Sequence, residues 1–391
     1  MRLFIWSFVY TKTAKNASNT VLNSIGGKKV KDIQNTGMQL IKVDGMRAAG
    51  GTDDVLTTLK KNPSVEWVEA NRIIKVPQVI KDLWNKLTGK TDAFPNDPQF
   101  ADQYSHQITH AQDGWKVLET AAKADITLAI VDTGVDKTHP DLKNRMVEGY
   151  SAYPGEDAGV DKQGHGTHCA GIAAAITNNA VGVAGVASTA PIKIQPVKVL
   201  NNQGSGTYAA VADGIAWAAS HGAKVLSMSL GGPSSSQAIT DAVNLAIKNN
   251  VVVVAAMGND GNSNVSYPAG IKGVMAVGAT DSSDKIAGFS QFGPHISVSA
   301  PGVKILSTFP QYANGIGQTN YGKISGTSMA CPYVSGLAAL VRSVNPGLSA
   351  ADTRTRIEKS ADDLGPSGFD DKFGFGRVNV AKALTAAIAR R

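Results

Sequence analysis

Two histidines and a cysteine lie close together in GHGTHCAGI, residues 164–172. His165, His168 and Cys169 are residue types that bind metal ions, and histidine is also the side chain most often used as a general base. On a helix, His165 and His168 would share nearly the same side. However, no acidic or cysteine partner lies at a spacing typical of zinc sites. The pattern therefore favours a catalytic base at His165 and a buried structural role for His168.

Two other stretches place reactive groups at the ends of predicted elements. IVDTGVD puts Asp132 just after an apolar run, and SGTSMACP puts Ser328 at the start of a helical segment. A serine hydroxyl is a weak nucleophile until a base takes its proton, and that base needs a carboxylate to fix its tautomer. Asp132, His165 and Ser328 supply these three roles.

A fourth stretch, VVVVAAMGNDG, ends a predicted strand with Asn259 in a glycine-flanked turn. Attack on a carbonyl group creates an oxyanion, which needs hydrogen-bond donors that are already in place. We expect the Asn259 amide and the backbone N–H of Ser328, at a helix N-terminus, to be these donors.

Apolar runs and helical stretches alternate from residue 126 onward. The runs cover residues 126–131, 192–200, 224–230, 251–256, 274–279 and 296–300. The helical stretches cover residues 165–176, 207–222, 236–250, 328–344, 349–361 and 378–390. This pattern predicts an α/β fold, in which a mostly parallel sheet carries helices on both faces. Such sheets gather their functional groups at the carboxyl ends of the strands.

Residues 1–76 have a different pattern, which predicts a small α+β domain of βαββαβ order. Its predicted strands cover residues 2–9, 28–36, 37–43 and 65–76, and its predicted helices cover residues 14–26 and 51–61. Residues 77–92 are a polar linker, and residues 93–391 form the large domain.

The net charge of +7 comes entirely from the N-terminal region. Residues 1–92 hold 15 basic and 8 acidic residues, whereas residues 93–391 hold 23 of each. The large domain is therefore neutral, which argues against a nucleic-acid partner. No apolar run approaches the ~20 residues that span a bilayer, so we expect no membrane partner either.

The reactive stretches, in the order Asp132, His165, Asn259 and Ser328, closely resemble the subtilisins, and among them the thermitase and proteinase K branches. The order Asp, His, Ser is that of subtilisin itself. The resemblance runs from PNDPQF, residues 95–100, to the C-terminus. It implies a serine endopeptidase that hydrolyses extended polypeptides with broad specificity. The matching substrate-binding segments, GSGTY and SLGG, contribute Gly204, Ser205, Gly206, Ser229, Leu230 and Gly231.

Residues 1–76 resemble the inhibitory propeptide of this family, most clearly at NPSVEWVEAN, residues 62–71. The resemblance implies a monomeric, self-processing zymogen whose own propeptide is its intramolecular inhibitor. The family's subsite preferences fit Trp84 and Leu87, which predicts cleavage between Leu87 and Thr88. Secretion is implied by the family. The start MRLFIWSFVYTK lacks a small-residue signal cleavage site, so an intracellular protein stays an alternative.

The resemblance also implies a structural Ca²⁺ ion. PNDP and HPDL supply acidic residues where thermitase-like proteases place calcium ligands, and AAITNNAVGVAG supplies a loop after the His165 helix. Calcium takes six to eight oxygen ligands. The expected ligands are the side chains of Asp97, Asp141 and Asn179 and the carbonyl oxygens of Ile176, Val181 and Val183.

Three alternatives are open at this stage. Cys169 and Cys331 are expected to be buried free thiols, but a disulfide between them is the alternative. The chain is expected to be a protease, but a catalytically silent binding protein of the same fold or an esterase are alternatives. The presence of all four reactive groups and of two segments suited to extended peptides favours the protease.

Overall fold

The structure, a computed structural model, describes nearly all of the large domain and parts of the N-terminal region. It describes residues 95–388 except Ser188, and the segments 7–13, 27–33, 38–43, 56–57, 59–63, 65–70, 73–75 and 80–81.

The described strands, in chain order, are β1 (Ser7–Thr13), β2 (Gly27–Ile33), β3 (Met38–Val43), β4 (Val65–Ala70), β5 (Ile73–Lys75), β6 (Ile80–Lys81), β7 (Ile126–Asp132), β8 (Tyr150–Ser151), β9 (Ile192–Lys198), β10 (Ser205–Thr207), β11 (Val225–Met228), β12 (Val252–Ala256), β13 (Met275–Thr280), β14 (Ile296–Pro301), β15 (Ile305–Thr308) and β16 (Tyr321–Ser325). The helices with described bounds are α1 (Tyr104–Ile108), α2 (Ala111–Val117), α3 (His165–Ala174), α4 (Tyr208–Ser220), α5 (Gln237–Lys248), α6 (Thr327–Val344), α7 (Ala350–Lys359) and α8 (Val380–Ile388).

Four N-terminal strands form an antiparallel sheet of order β2-β3-β1-β4. Each of the four predicted strands overlaps a described strand, although β1 continues to Thr13, beyond the predicted end at residue 9. The predicted strand over residues 65–76 contains β4 and β5. Residues 56–57 and 59–60 are helical, within the predicted helix 51–61. The predicted helix over residues 14–26 and the cleavage expected between Leu87 and Thr88 lie outside the described residues.

The large domain is built on a seven-stranded sheet of order β14-β13-β12-β11-β7-β9-β8, in which every pair is parallel. Each of the six predicted apolar runs overlaps one of these strands to within a few residues, so the predicted α/β fold is confirmed. The edge strand β8 was missed because Tyr150 and Ser151 are only half-buried and belong to no apolar run. The short helices α1 and α2 were missed as well.

Alternate residues of the central strands enter two separate cores. In β7, Leu128 and Ile130 join one core, whereas Ala129 and Val131 join the other. Helices α3, α6, α7 and α8 supply the first core, and α4 and α5 supply the second. Burial on both faces explains why these strands are apolar throughout instead of alternating.

All 18 residues of α6 are buried, which makes it the central helix of the domain. Its N-terminus follows β16, which pairs with β15 and β6 in a small antiparallel sheet. A second small sheet joins β10 to β5. Among the helices in the described part of the chain, none has the length and hydropathy needed to cross a membrane.

Candidate active site

The candidate catalytic residues lie where the strands of the parallel sheet end and helices begin. Asp132 is the last residue of β7, His165 is the first residue of α3, and Ser328 is the second residue of α6. Asn259 lies in the turn that follows β12. Strand ends at one edge of a parallel sheet are neighbours in space, so residues distant in sequence meet here.

A direct hydrogen bond joins Asp132 to His165. The imidazole Nδ1 lies 2.8 Å and 3.0 Å from the two carboxylate oxygens, and both side chains are buried. The His165 backbone N–H donates to Gln163 Oε1 over 2.8 Å. Because the carboxylate accepts the Nδ1 proton, the tautomer that leaves Nε2 with a lone pair is favoured. Within the described residues, the buried Nε2 has no hydrogen-bond partner.

Ser328 is held by the segment after β11. Its hydroxyl donates to the Ser229 carbonyl oxygen over 3.3 Å, and no hydrogen bond to His165 is present among the described residues. The Ser328 carbonyl oxygen accepts from Ser229 Oγ at 2.8 Å and from Cys169 Sγ at 3.4 Å. These side chains replace the usual helical donor, because the residue four positions later is Pro332, which has no N–H.

Cys169 also shows how close the base and the nucleophile are. Its Sγ lies 3.8 Å from His165 Nδ1 and 3.4 Å from the Ser328 carbonyl oxygen. Cys169 therefore contacts both the His165 ring and the backbone of Ser328.

The Asn259 side chain is fixed by two donors on Thr327. Asn259 Oδ1 accepts the Thr327 backbone N–H and the Thr327 hydroxyl, each over 2.8 Å. Because two donors bind Oδ1, the other side-chain atom is the NH₂ group, whose orientation is thereby set. A Cβ placed on Gly326 would lie 3.2 Å from that nitrogen, so the amide lies beside the N-terminus of α6.

Buried polar residues that the sequence analysis missed brace the start of α3. The fully buried Asp161 accepts from Thr133 Oγ1 and the Gly164 N–H, both at 2.8 Å, and from the Thr167 N–H at 2.9 Å. Thr133 Oγ1 in turn accepts the Gly166 N–H at 2.9 Å. Burial raises the pKa of the Asp161 carboxyl group. The helix N-cap is Gly164, three residues after Asp161, so no capping pattern marked Asp161 in the sequence.

The metal-binding alternative at these residues is not favoured. Asp132, His165 and Cys169 form the single cluster with metal-ligand atoms within 4.8 Å in the described part of the chain. Burial raises the pKa of Cys169 well above its usual range, which disfavours the thiolate that binds metals. His168 points elsewhere, with Nε2 at 3.2 Å from the Gly322 carbonyl oxygen, and burial lowers its pKa to about 3. Cys169 and Cys331 are free and buried, so the disulfide is not formed.

The two segments predicted to bind substrate adjoin β10 and β11. Gly204 precedes β10, and the β10 edge carries β5 of the same chain as an antiparallel partner, with Ser205 opposite Lys75 and Gly206 opposite Ile74. The second segment, Ser229, Leu230 and Gly231, follows β11 and is held to Ser328 as described.

The predicted calcium ligands gather around one loop. The Asp97 carboxylate accepts the N–H groups of Asn178 and Asn179, at 2.8 and 3.1 Å. The Asp141 carboxylate accepts Asn179 Nδ2 at 2.8 Å and the Val183 N–H at 3.0 Å. Both carboxylates are at most 4% exposed, and neither forms an ion pair with any described residue. Burial raises the pKa of both, and the charge of Asp97 also raises that of Asp141.

This setting fits a hard cation in most respects. Two buried carboxylates repel each other and lack a positive partner among the described residues. No described group donates a hydrogen bond to the carbonyl oxygens of Ile176, Val181 or Val183, which leaves them available as ligands. Asn179 differs from the expectation, because its nitrogen faces Asp141 while its Oδ1 accepts the Val181 N–H at 2.9 Å. The amide must turn over for Oδ1 to bind the ion beside Asp141.

Comparison with protein families matches two regions of the chain. Residues 123–376 match the subtilase family model, and residues 9–71 match the fervidolysin N-terminal prodomain. The first match covers the Asp132, His165, Asn259 and Ser328 stretches, and the second covers most of the region predicted to be a propeptide.

Individual proteases are similar as well. Thermitase of Thermoactinomyces vulgaris is 45% identical over 291 residues, which are 74% of this chain and 99% of thermitase. A thermophilic serine proteinase of Bacillus sp. (strain AK1) is 40% identical, over 86% of this chain and 77% of the relative. The crystal structure of fervidolysin from Fervidobacterium pennivorans, a keratinolytic enzyme related to subtilisin, aligns with a TM-score of 0.85 and 27% identity. That alignment covers 98% of this chain but 62% of the fervidolysin chain.

Proposed function

Because the chain belongs to the subtilase family of serine proteases, we propose that Asp132, His165 and Ser328 are its catalytic triad and that it cleaves extended polypeptides. The observation that carries this proposal is the buried Asp132–His165 hydrogen bond, which leaves Nε2 with a lone pair that no described residue uses. Without that bond, the imidazole could present either nitrogen, and the serine hydroxyl would lack a base in the correct tautomer.

The reaction follows from the positions of these groups. Ser328 Oγ attacks the carbonyl carbon of the scissile peptide bond while its proton passes to His165 Nε2. Asp132 stabilises the imidazolium, and the Asn259 NH₂ group and the Ser328 N–H bind the oxyanion. The C–N bond then breaks as His165 returns the proton to the leaving amine, which leaves an ester on Ser328. Water attacks that ester by the same steps and releases the acid.

The binding segments support an extended peptide with broad side-chain tolerance. The β10 edge already pairs with a strand of the same chain through backbone hydrogen bonds, which are the same for every sequence. A small ester has no strand to add to this edge, so the pairing favours a peptidase over an esterase. A silent binding protein has no need for a buried imidazole with its tautomer fixed.

The test is hydrolysis of an unstructured peptide by the wild type and by Ser328→Ala. We expect the variant to lose about 10⁶-fold in kcat, the loss measured when the nucleophile of subtilisin is removed. The matched control is Ser335→Ala on the same helix, whose hydroxyl donates to the Cys331 carbonyl oxygen instead of facing the site. A Ser328→Ala variant as active as the wild type would rule out the triad.

We also propose that the N-terminal domain is an intramolecular inhibitor that the enzyme removes itself. The pairing of β5 with β10 supports this, because it occupies the edge expected to bind substrate. Isolated residues 1–76 are expected to inhibit the processed enzyme, and no inhibition at micromolar peptide would contradict this role.

A structural Ca²⁺ ion held by Asp97, Asp141 and the 176–183 loop is part of the same proposal. When bound, the ion offsets the repulsion between the two buried carboxylates and ties the start of the domain to the loop after α3. It has no step in the chemistry at Ser328. Secretion and a monomeric state are further proposals, and they rest on the family resemblance alone.

A further inference from the structure

A buried lysine lies beside Asp132. Lys198 is the last residue of β9, and its pairing partner in β7 is Asp132. Its side chain is 1% exposed, and lysine is almost never buried to this extent unless its charge is paired. We infer that Lys198 is a positioning residue: its ammonium group offsets two buried carboxylates, so that His165 stays unprotonated and able to act as a base. The inference rests on the proposed triad.

Three oxygen atoms surround the Lys198 ammonium group. Nζ lies 2.7 Å from the Thr133 carbonyl oxygen, 3.2 Å from Asn202 Oδ1 and 3.4 Å from Glu156 Oε2. All three oxygens are acceptors, and an ammonium group has three N–H donors and no lone pair. A neutral amine has two N–H donors, so its lone pair would face an oxygen atom. The contacts therefore favour the charged form of Lys198.

Thr133 connects this positive charge to both carboxylates. Its backbone N–H donates to Asp132 Oδ1, and its hydroxyl donates to Asp161 Oδ1, each over 2.8 Å. Its carbonyl oxygen accepts from Lys198. Because a single residue makes these contacts, Lys198 Nζ lies within ~9 Å of the Asp132 oxygen.

Asp161 adds a second negative charge close to the proposed base. It is fully buried and accepts the N–H groups of Gly164 and Thr167, at the start of the helix that His165 begins. Hydrogen bonds from N–H groups favour the charged form of a carboxyl group. Burial lowers the pKa of Lys198, and the charge of Asp161 is the largest of those that oppose this effect. Lys198 and Asp161 therefore interact through their charges.

Without a positive charge nearby, these two buried anions would favour a protonated imidazole. A protonated His165 cannot take the proton of a serine hydroxyl. Lys198 offsets one of the two negative charges and leaves the other to hold the proton on Nδ1. The other titratable groups next to His165 are neutral, because burial raises the pKa of Cys169 well above its usual range and lowers that of His168 to about 3.

The test is the pH profile of kcat/KM for hydrolysis of an unstructured peptide at low ionic strength. Lys198→Met keeps a long side chain and removes its charge. The midpoint of the acid limb reports protonation of His165 in the free enzyme. It should rise by about one pH unit, the interaction of two unit charges ~12 Å apart at an effective dielectric constant of about 20. A midpoint that stays unchanged or falls overturns the inference.

Two variants separate charge from packing. Lys193→Met removes a positive charge at the other end of the same strand, opposite Thr127, and should keep the wild-type midpoint. Lys198→Arg keeps the charge at the site and should also restore the wild-type midpoint. If Lys198→Arg shifts the midpoint as far as Lys198→Met, the effect comes from packing and the inference is wrong.

Glu156→Gln keeps the inference testable if Lys198→Met does not fold. Glu156 is 35% exposed, so its replacement leaves the buried groups in place. The variant removes a negative charge that offsets Lys198, and the midpoint should fall by a few tenths of a pH unit, about the effect of a charge screened by solvent. A midpoint that rises or does not move overturns the inference.

Titration of His165 by NMR in a Ser328→Ala background should show the same shifts without any turnover. Peptide hydrolysis by the wild type separates this inference from the proposed function. An active wild type whose midpoint equals that of Lys198→Met overturns the role of Lys198 and leaves the triad intact. A wild type that is inactive at every pH overturns the triad, and the inference with it.

Discussion

Replacing Asn259 with alanine removes two roles of one side chain, a proposed one in catalysis and an observed one in holding Thr327. The NH₂ group lies beside the N-terminus of α6, where it is expected to bind the oxyanion. The Oδ1 atom accepts the N–H and the hydroxyl of Thr327, which is fully buried. Alanine removes both, so turnover and stability should fall together but for different reasons.

Each loss has its own magnitude. Loss of one oxyanion donor costs about 10²–10³ in kcat, or about 2.7–4 kcal/mol of transition-state stabilisation, a range that includes the donor of subtilisin itself. Leaving the buried Thr327 N–H without a partner costs about 1–3 kcal/mol of unfolding free energy. KM should change little, because the amide binds an oxygen charge that develops during the reaction.

Asn259→Asp distinguishes the two roles. Its carboxylate still offers an oxygen to both Thr327 donors, but it replaces the NH₂ donor with a negative charge. We expect kcat to fall at least as far as in Asn259→Ala, with a smaller loss of stability. Thr327→Val is the matched control, since it removes one anchor of Asn259 and keeps the amide.

The assay is steady-state hydrolysis of a chromogenic peptide, with thermal unfolding of each variant measured in a Ser328→Ala background. Near-normal kcat in Asn259→Asp would refute the oxyanion role. If Thr327→Val loses as much kcat as Asn259→Ala, the loss comes from displacement of the α6 N-terminus instead of from the missing donor.

Two further predictions concern stability. Chelator should shorten the half-life of the enzyme at elevated temperature, and millimolar calcium should restore it. An ion at a hundredfold excess over its Kd adds about 2.7 kcal/mol to the free energy of unfolding. Equal inactivation rates in chelator and in calcium, or an Asp141→Asn variant that responds like the wild type, would contradict the calcium site. Burial lowers the pKa of His106 to about 4 and that of His168 to about 3. In the unfolded chain both pKa values are about 6.5. Between pH 6.5 and 4 the unfolded chain therefore binds more protons than the folded chain. The unfolding free energy should therefore fall by about 1.4 kcal/mol per histidine for each pH unit below 6.5. Denaturant titrations at several pH values should show a smaller slope for His106→Gln than for the wild type. An unchanged slope would refute the contribution of His106.

The main sheet was predictable because burial on both faces leaves a simple signal. Strands such as Val252–Ala256 are apolar at every position, and the helices between them start at small or capping residues. The edge strand Tyr150–Ser151 gave no such signal, since it is short and half-exposed. Its pairing depends on the tertiary position of β9, which no local pattern encodes.

The reactive residues of the candidate site could be predicted from their types, but the residues that hold them in place could not. Asp132, His165 and Ser328 stand out because few buried residues carry such groups at element ends. Asp161 and Gln163 resemble ordinary loop residues in the sequence. Their importance comes from buried partners on other segments, such as Thr133 and the His165 N–H, which only the folded chain brings together.

The contacts of the candidate site also explain why binding and chemistry should be hard to separate by mutation. Each segment proposed to bind a peptide contacts a proposed catalytic residue or a residue that binds one. The segment at Ser229 exchanges two hydrogen bonds with Ser328, because Pro332 leaves the serine carbonyl oxygen without a helical donor. The β10 edge lies against Gln163, which binds the His165 N–H. A substitution in either segment is therefore expected to shift His165 or Ser328, and its effect should appear in kcat as well as in KM.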